Sequence, residues 1–402
     1  MSEAEADLVP PAFLSLAERD RRHTAVQASM AEDGLDVLVL PATANRWEQC
    51  MADSRYVSGI GSFGTETLTI VPRGHAPTVY LFNRSAWWKA QQKWVADVRD
   101  GRNRWASNII ERLHELGFER GRIGFSGLAG QTRTPDGVVP FGTYAAVAKA
   151  FPLAELVDAT ALVLNLRAIK SDEEVDTLRH SARITDAMVE TMTAMAVPGK
   201  TERQVYGAMM HTMIDLGGDL PVLAIFASGP DVNNGQFVPT NRVLKRGDRF
   251  ANEIEARVAG YGAQTVAPLS IGKPDDAYKE AIDVALAGFS GALVAMRPGK
   301  TMRDVMNAYR EAIRIAGKGR FRHSFPLMHA RGLGDEVPIV QDEKALEDSG
   351  DVTLSANMTF VVKPRVLRED KAVQAQIGDT VQVTPSGGQR LGKRTLELIV
   401  VE

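Results

Sequence analysis

Glu253, Glu255 and Arg257 stand at alternate positions in the stretch Arg246–Gln264. With the period of a strand they share one face, while Phe250, Ile254, Ala256 and Val258 share the other. Three charges on one face have two readings. Turned to solvent, they form an ordinary charge ladder. Turned inward, two carboxylates beside a guanidinium form a set able to orient water or a polar group. Lys363 and Arg365 share a face by the same rule, and His329, with an ordinary pKa near neutrality, is an acid/base candidate elsewhere in the chain.

The elements around these residues follow from pattern. Leu16–Glu32 reads as a helix stopped by Gly34, and Asp36–Leu40, Thr67–Val71, Val79–Phe82 and Ile123–Phe125 read as strands alternating with helical stretches such as Trp105–Leu116. Residues 1 to about 16 read as an irregular arm. This is an α/β domain over 1–160, with the boundary inside 155–170. A second domain, 161–402, opens with a capping box, Ser171 and Glu174, ahead of a helix with Val175, Leu178, Ala182 and Val189 at helical spacing.

That second domain repeats itself. Pro198-Gly-Lys-Thr201 leads into a Met-rich helix ending at Gly217-Gly218, and Pro298-Gly-Lys-Thr301 leads into a helix ending near Gly317. Neither Gly-Lys-Thr is a phosphate loop. The glycine required five residues earlier is Ala194 in one copy and Val294 in the other, and Thr201 and Thr301 read as helix N-caps. Met209, Met210 and Met213 read as helix core. β-rich sequence follows each helix, over 223–269 and 325–400, so two α+β halves are expected to face a shared cleft.

Composition narrows the function classes. The chain of 402 residues is 44% hydrophobic and 24% charged, with a formal net charge of -3, which describes a globular protein and gives no footprint for nucleic acid. The single cysteine, Cys50, rules out an internal disulfide framework and a cysteine-based zinc site, so a cytoplasmic setting is expected. The most apolar helical stretch, 278–296, carries Glu280 and Asp283, and no membrane association is expected.

Taken in order, the chain resembles the creatinase/prolidase family, whose pita-bread fold is shared with methionine aminopeptidases. The match rests on Arg55-Tyr-Val-Ser-Gly59, Leu166-Arg-Ala-Ile-Lys170, Ala227-Ser-Gly-Pro230, Pro239-Thr-Asn-Arg242, Gly247-Asp248, Gly260-Tyr261, Met358-Thr-Phe360 with Pro364, and Asp379-Thr-Val-Gln-Val-Thr384. The resemblance implies an N-terminal α/β creatinase-like domain followed by a C-terminal pseudo-symmetric pita-bread domain. It also implies a homodimer whose N-terminal domain covers the partner's cleft, with Arg55, Tyr56 and the Trp47 segment as candidates to reach across.

The family's chemistry transfers less well. Its peptidases hold two divalent cations with two aspartates, a histidine and two glutamates, since such cations need several anionic ligands. The matching positions here are Glu253, Gln264, His329, Lys363 and Gly378. A protonated lysine has no lone pair to offer and repels a cation. Creatinase, the family's metal-free precedent, uses a histidine three residues before the proline of the Pro239 segment, and Gln236 stands there instead.

The resulting expectation is a metal-independent, creatinase-like hydrolase of a C–N bond in a small polar substrate, with no cofactor. His329 is the acid/base candidate, Glu253 and Glu255 orient water or a cationic group, and Lys363 stabilises developing negative charge. Arg331 or Arg257 clamps a carboxylate, and Gln236, Gln264, His323, Tyr261 and Arg55 complete the substrate-binding set. Asp335 and Glu336 sit where the family segment often carries a histidine and a glutamate. The alternatives are an Xaa-Pro peptidase-like metallohydrolase and a non-catalytic pita-bread protein that binds small molecules or peptides.

Overall fold

The computed structural model describes residues 14–43, 49–62, 65–83, 85–102, 104–130, 134–220, 224–230, 238–324, 328–370 and 373–402. The chain packs as two compact units that divide between Ala168 and Ile169, with the short turn 333–335 grouped with the first.

In the first unit the described strands are β1 (Val37–Ala42), β2 (Thr67–Pro72), β3 (Thr78–Leu81), β4 (Asp97–Asp100), β5 (Arg120–Phe125) and β6 (Leu153–Asp158). They form one sheet in the order β4-β3-β2-β1-β5-β6. β1 runs parallel to β5 and antiparallel to β2. The helices are α1 (Leu16–Glu32), α2 (Ala52–Ser58), α3 (Ser85–Gln91), α4 (Trp105–Glu115), α5 (Phe141–Ala150) and α6 (Thr160–Ala168). α1 has the bounds its pattern predicts, with Ser15 capping its start and Gly34 just beyond its end at φ 65°. β1 begins one residue later than expected because Asp36 is already committed: its carboxylate accepts from the Arg122 amide at 2.9 Å and pairs with Arg73. Val37, Val39, Leu68, Ile70, Ile109 and Ile123 are among the residues that close the core of this unit.

The second unit is built from two similar halves, as the repeat predicts. In one, α7 (Asp172–Met195) packs on α8 (Glu202–Asp215); in the other, α9 (Asp276–Ala295) packs on α10 (Met302–Ala316). Capping boxes start α7 at Ser171, α8 at Thr201 and α10 at Thr301. The two Gly-Lys-Thr turns are held alike. Gly199 donates to the Leu244 carbonyl at 3.1 Å and Gly299 to the Leu354 carbonyl at 2.9 Å. Short bridges join Thr201 to Val243 and Thr301 to Thr353. A phosphate-binding role is absent from both: the amides are spent on this backbone pairing and the hydroxyls on capping.

Helix pairs cover one side of the sheets of each half. β7 (Ala224–Gly229), β8 (Arg249–Val258), β9 (Tyr261–Thr265), β10 (Leu269–Ile271) and β19 (Ile399–Val401) form the first sheet. β11 (Phe321–Ser324), β15 (Arg365–Arg368) and β16 (Gln374–Gln376) form a small one. β12 (Met328–Arg331), β13 (Asp335–Val340), β14 (Thr359–Val362), β17 (Asp379–Thr384) and β18 (Gly387–Arg390) form the third, with α11 (Glu343–Ser349) after β13. Phe250, Ile254, Ala256 and Val258 face the α7–α8 core with Met209 and Met213, while Met210 is partly buried at its edge. Alternation along β8 therefore sends Glu253, Glu255 and Arg257 to the opposite face.

No described helix is long and apolar enough to cross a membrane. Replacing Thr201 with alanine removes one capping box: the Gln204 amide loses the Thr201 hydroxyl at 3.2 Å and keeps only the Thr201 carbonyl at 3.0 Å. The expected loss is about 1 kcal/mol, read as a lower urea midpoint at unchanged m, with Thr301→Ala behaving alike because its hydroxyl also accepts from the third residue of its helix, Asp304.

Candidate active site

The strand face carrying Glu253, Glu255 and Arg257 is not a solvent ladder: the three residues are 6%, 1% and 0% exposed. β8 and β9 are antiparallel, with Glu255 opposite Gln264 and Arg257 opposite Gly262, so all of these side-chain positions share one face. On the third sheet, His329 is opposite Val361 and Val361 is opposite Thr380. Two residues after Val361, just past the end of β14, comes Lys363, and two residues before Thr380, just ahead of β17, comes Gly378. His329, Arg331, Lys363 and Gly378 therefore also fall on a single face. Two faces read independently from alternation are brought against each other.

The contact between them is an ion pair. Lys363 Nζ donates to Glu253 Oε2 at 2.8 Å and to Gln264 Oε1 at 3.3 Å. The Gln264 amide closes the ring by donating its Nε2 to the same Glu253 oxygen at 3.2 Å. Both charged side chains are buried. Burial pushes the Glu253 carboxyl up, but the Lys363 ammonium pulls it down further, helped by His329 and Arg365, and it ends below the ordinary value of 4.5. Arg365 sits near enough to be felt there, and donates to Gln376 Oε1 at 3.2 Å. Burial lowers its own pKa, opposed by Glu253.

The backbone around the ring is fixed by threonines. Thr380 Oγ1 donates to the Gln264 carbonyl at 2.9 Å and accepts from its amide at 2.8 Å. Thr265 Oγ1 donates to the Gly378 carbonyl at 3.0 Å, and Val266 and Gly378 exchange backbone bonds. Neither threonine stood out in the sequence, although Thr380 belongs to the matched segment after Asp379.

Glu255 occupies a second cluster. Arg257 Nε donates to one of its oxygens at 2.7 Å and Arg331 to the other. Both carboxylate oxygens are engaged, so Glu255, expected to act beside Glu253, links β8 to β12. The described partner of Arg257 and of Arg331 is Glu255, in place of the expected substrate carboxylate. Gly262 lies beneath Arg331, where a Cβ would come within 2.9 Å of the guanidinium and displace it. Tyr261, also expected to bind substrate, is 1% exposed and gives its hydroxyl proton to Glu174 at 2.7 Å. It ties β9 to the start of α7.

The other candidates are dispersed. His323 lies on β11 with Arg310 at 3.3 Å, Glu343 at 3.7 Å and the Tyr309 ring as its described neighbours. Glu336 is buried and takes the Lys170 ammonium, a structural pairing. Arg55 belongs to α2 of the first unit and is 8% exposed. Gln236 and Trp47 lie outside the described residues. His329 is buried, with Nδ1 3.4 Å from the Ala330 carbonyl.

The residues do not fit a pair of divalent cations. Among the described residues no group of three or more His, Cys, Asp or Glu could hold a metal ion. At a position that the resemblance matches to a metal ligand, Lys363 instead places an ammonium against Glu253. At Gly378 a Cβ would meet the Val362 carbonyl at 2.5 Å and the Lys363 Cα at 3.0 Å, so a glutamate there would not fit beside this strand.

A creatinase-type first unit joined to a pseudo-symmetric pita-bread unit defines the class, and comparison with known proteins agrees. Residues 176–385 match the model of metallopeptidase family M24, and residues 22–169 match the creatinase/prolidase N-terminal domain. The chain belongs to metallopeptidase family M24, in its creatinase/prolidase group. It is 25% identical over 239 residues to an Xaa-Pro dipeptidase of Pyrococcus furiosus, covering 59% of this chain and 67% of that one. It is 24% identical over 374 residues to the uncharacterized peptidase YqhT of Bacillus subtilis, covering 92% and 96%. The solved structure of an Xaa-Pro dipeptidase from Bacillus anthracis superposes with a TM-score of 0.77 at 22% identity, covering 95% and 100%, which shows the shared fold.

Lys363→Met leaves Glu253 buried without its counter-charge, and a loss of about 3–5 kcal/mol at pH 7 is expected. Glu253 is held below 4.5 in the folded wild type, so its contribution is present above that value and disappears as pH falls through the lowered one. In the variant the unpaired carboxyl shifts the other way and takes up a proton. The gap between wild type and variant in urea unfolding therefore narrows as pH falls from 7 towards 4.

Proposed function

We propose that this protein is a hydrolase that cleaves a C–N bond of a small polar substrate without the two-cation centre of its family's peptidases. The observation that carries the reading is the Lys363 ammonium bound between Glu253 and Gln264 on the face where that centre would lie. Family membership and the dipeptidase names of similar proteins support hydrolysis as the reaction class.

The chemistry assigned to these residues is compact. His329 Nε2 takes a proton from a water as it attacks the carbon, and returns a proton to the departing nitrogen. Lys363 Nζ faces the oxygen on which negative charge develops, and burial makes that interaction stronger than it would be in water. Glu253 holds Lys363 in place through the 2.8 Å ion pair. Water adds across the C–N bond, giving an acid and an amine.

A second reading, an Xaa-Pro dipeptidase that uses metal, is favoured by the names of the relatives, since several matched proteins are called dipeptidases. The two readings separate on metal. The purified protein is expected to carry well under one equivalent of manganese, zinc or cobalt, and its hydrolysis of a panel of amides and Xaa-Pro dipeptides is expected to survive chelation. Two equivalents together with chelator-sensitive cleavage would establish the metal-dependent reading instead. His329→Ala is expected to lower turnover by about 10²–10⁴ with the fold retained by circular dichroism.

A further inference from the structure

Glu253 and Lys363 are only partly used by each other. The polar contacts of Glu253 with described residues fall on Oε2, which receives both Lys363 Nζ and Gln264 Nε2. Oε1 accepts from no described residue. Lys363 directs two of its three N–H bonds to Glu253 and Gln264, leaving one undirected among the described residues. The pair therefore offers one strong acceptor and one strong donor side by side, on the face shared with His329. The Gln264 amide already shows how such a pair is satisfied. Its Nε2 goes to Glu253 and its Oε1 to Lys363, one planar amide spanning both charges.

The geometry points to a ligand that repeats this pattern: we infer that the free edge of the Glu253–Lys363 pair receives a neutral carboxamide, lactam or urea group. Its C=O takes the Lys363 N–H, and its N–H goes to Glu253 Oε1. This inference rests on the hydrolase reading and names the substrate class for it. Two carboxylates on this edge would select a cation, and two cations would select an anion. One of each selects a neutral group that donates and accepts from adjacent atoms. The same placement sets the carbonyl oxygen on Lys363, where charge develops when water attacks.

The test uses the intact protein and three small probes of similar size: pyrrolidin-2-one, guanidinium and acetate. Binding is read by isothermal titration and by crystals soaked with each probe. Pyrrolidin-2-one is expected to bind at least about tenfold more tightly than either ion and to bridge Glu253 Oε1 and Lys363 Nζ. Guanidinium or acetate binding there in preference, or no probe binding on this edge, overturns the inference. Lys363→Met should remove lactam binding. Because that variant is destabilised, the exchanged pair Glu253→Lys with Lys363→Glu provides the second arm. It keeps one donor beside one acceptor in reversed order, so it should retain lactam binding within about tenfold, whereas recognition of a single charge would be lost. Hydrolysis of amides is measured separately by release of the amine. Lactam binding without turnover leaves the recognition standing and removes the hydrolase reading, while turnover of amides with no lactam on this edge does the reverse.

Discussion

A buried ion pair, Lys363 with Glu253, constrains the rest of the second unit. Neither charge is tenable there alone, because the desolvation of a single buried ion exceeds what packing returns. Once Lys363 occupies this place, the neighbouring positions lose their freedom. Position 264 needs a group that donates to the carboxylate and accepts from the ammonium, and an amide does both. Position 378 lies beside the Lys363 backbone, closer than any side chain allows, and is glycine. The lysine, the glutamine and the glycine are coupled through direct contact.

The pair also needs two sheets held in fixed register, and most of the unusual buried polar contacts serve that end. Arg257 and Arg331 grip Glu255 from β8 and β12. Thr380 locks both backbone groups of Gln264, and Val266 and Gly378 exchange backbone bonds between the strands. Behind β17, Asp379 takes Arg390 at 2.8 Å, and burial raises its pKa against the pull of Arg390 and Arg394. Farther out, the matched capping boxes at Thr201 and Thr301 start equivalent helices in the two halves. The chain thus repeats one scaffold and spends its differences on the face between the halves.

The fold was largely legible because it is written in local, periodic signals. Helix caps at Ser171, Thr201 and Thr301, the alternation along β8 and the spacing of the two Gly-Lys-Thr turns each specify a local structure that survives in three dimensions. Glu253 and Gln264 are joined locally by the β8–β9 hairpin, whereas the approach of Lys363 to them became legible through resemblance, since nothing local joins it to that hairpin. What sequence could not separate was two carboxylates on one strand face. Glu253 and Glu255 look alike by alternation, and their roles diverge because Arg257 and Arg331 close on Glu255 while Lys363 leaves one oxygen of Glu253 open. Tyr261 shows a related limit: a tyrosine at a matched motif looks like a ligand-binding group, and nothing in the sequence foretells that its hydroxyl donates to Glu174.

The charge balance explains how a peptidase family's fold accommodates such a change. In the ligand set the family resemblance implies, two aspartates and two glutamates offset two dications. Here one glutamate offsets one lysine, and the remaining acidic positions hold an amide and a glycine. Both arrangements are neutral as a whole, so both can be buried without a large penalty. They differ in the field they present. Paired dications polarise an oxygen from two sides and tolerate many groups around it. An ammonium beside a carboxylate is a short dipole with a definite direction, which favours a ligand whose own donor and acceptor are adjacent and oppositely ordered.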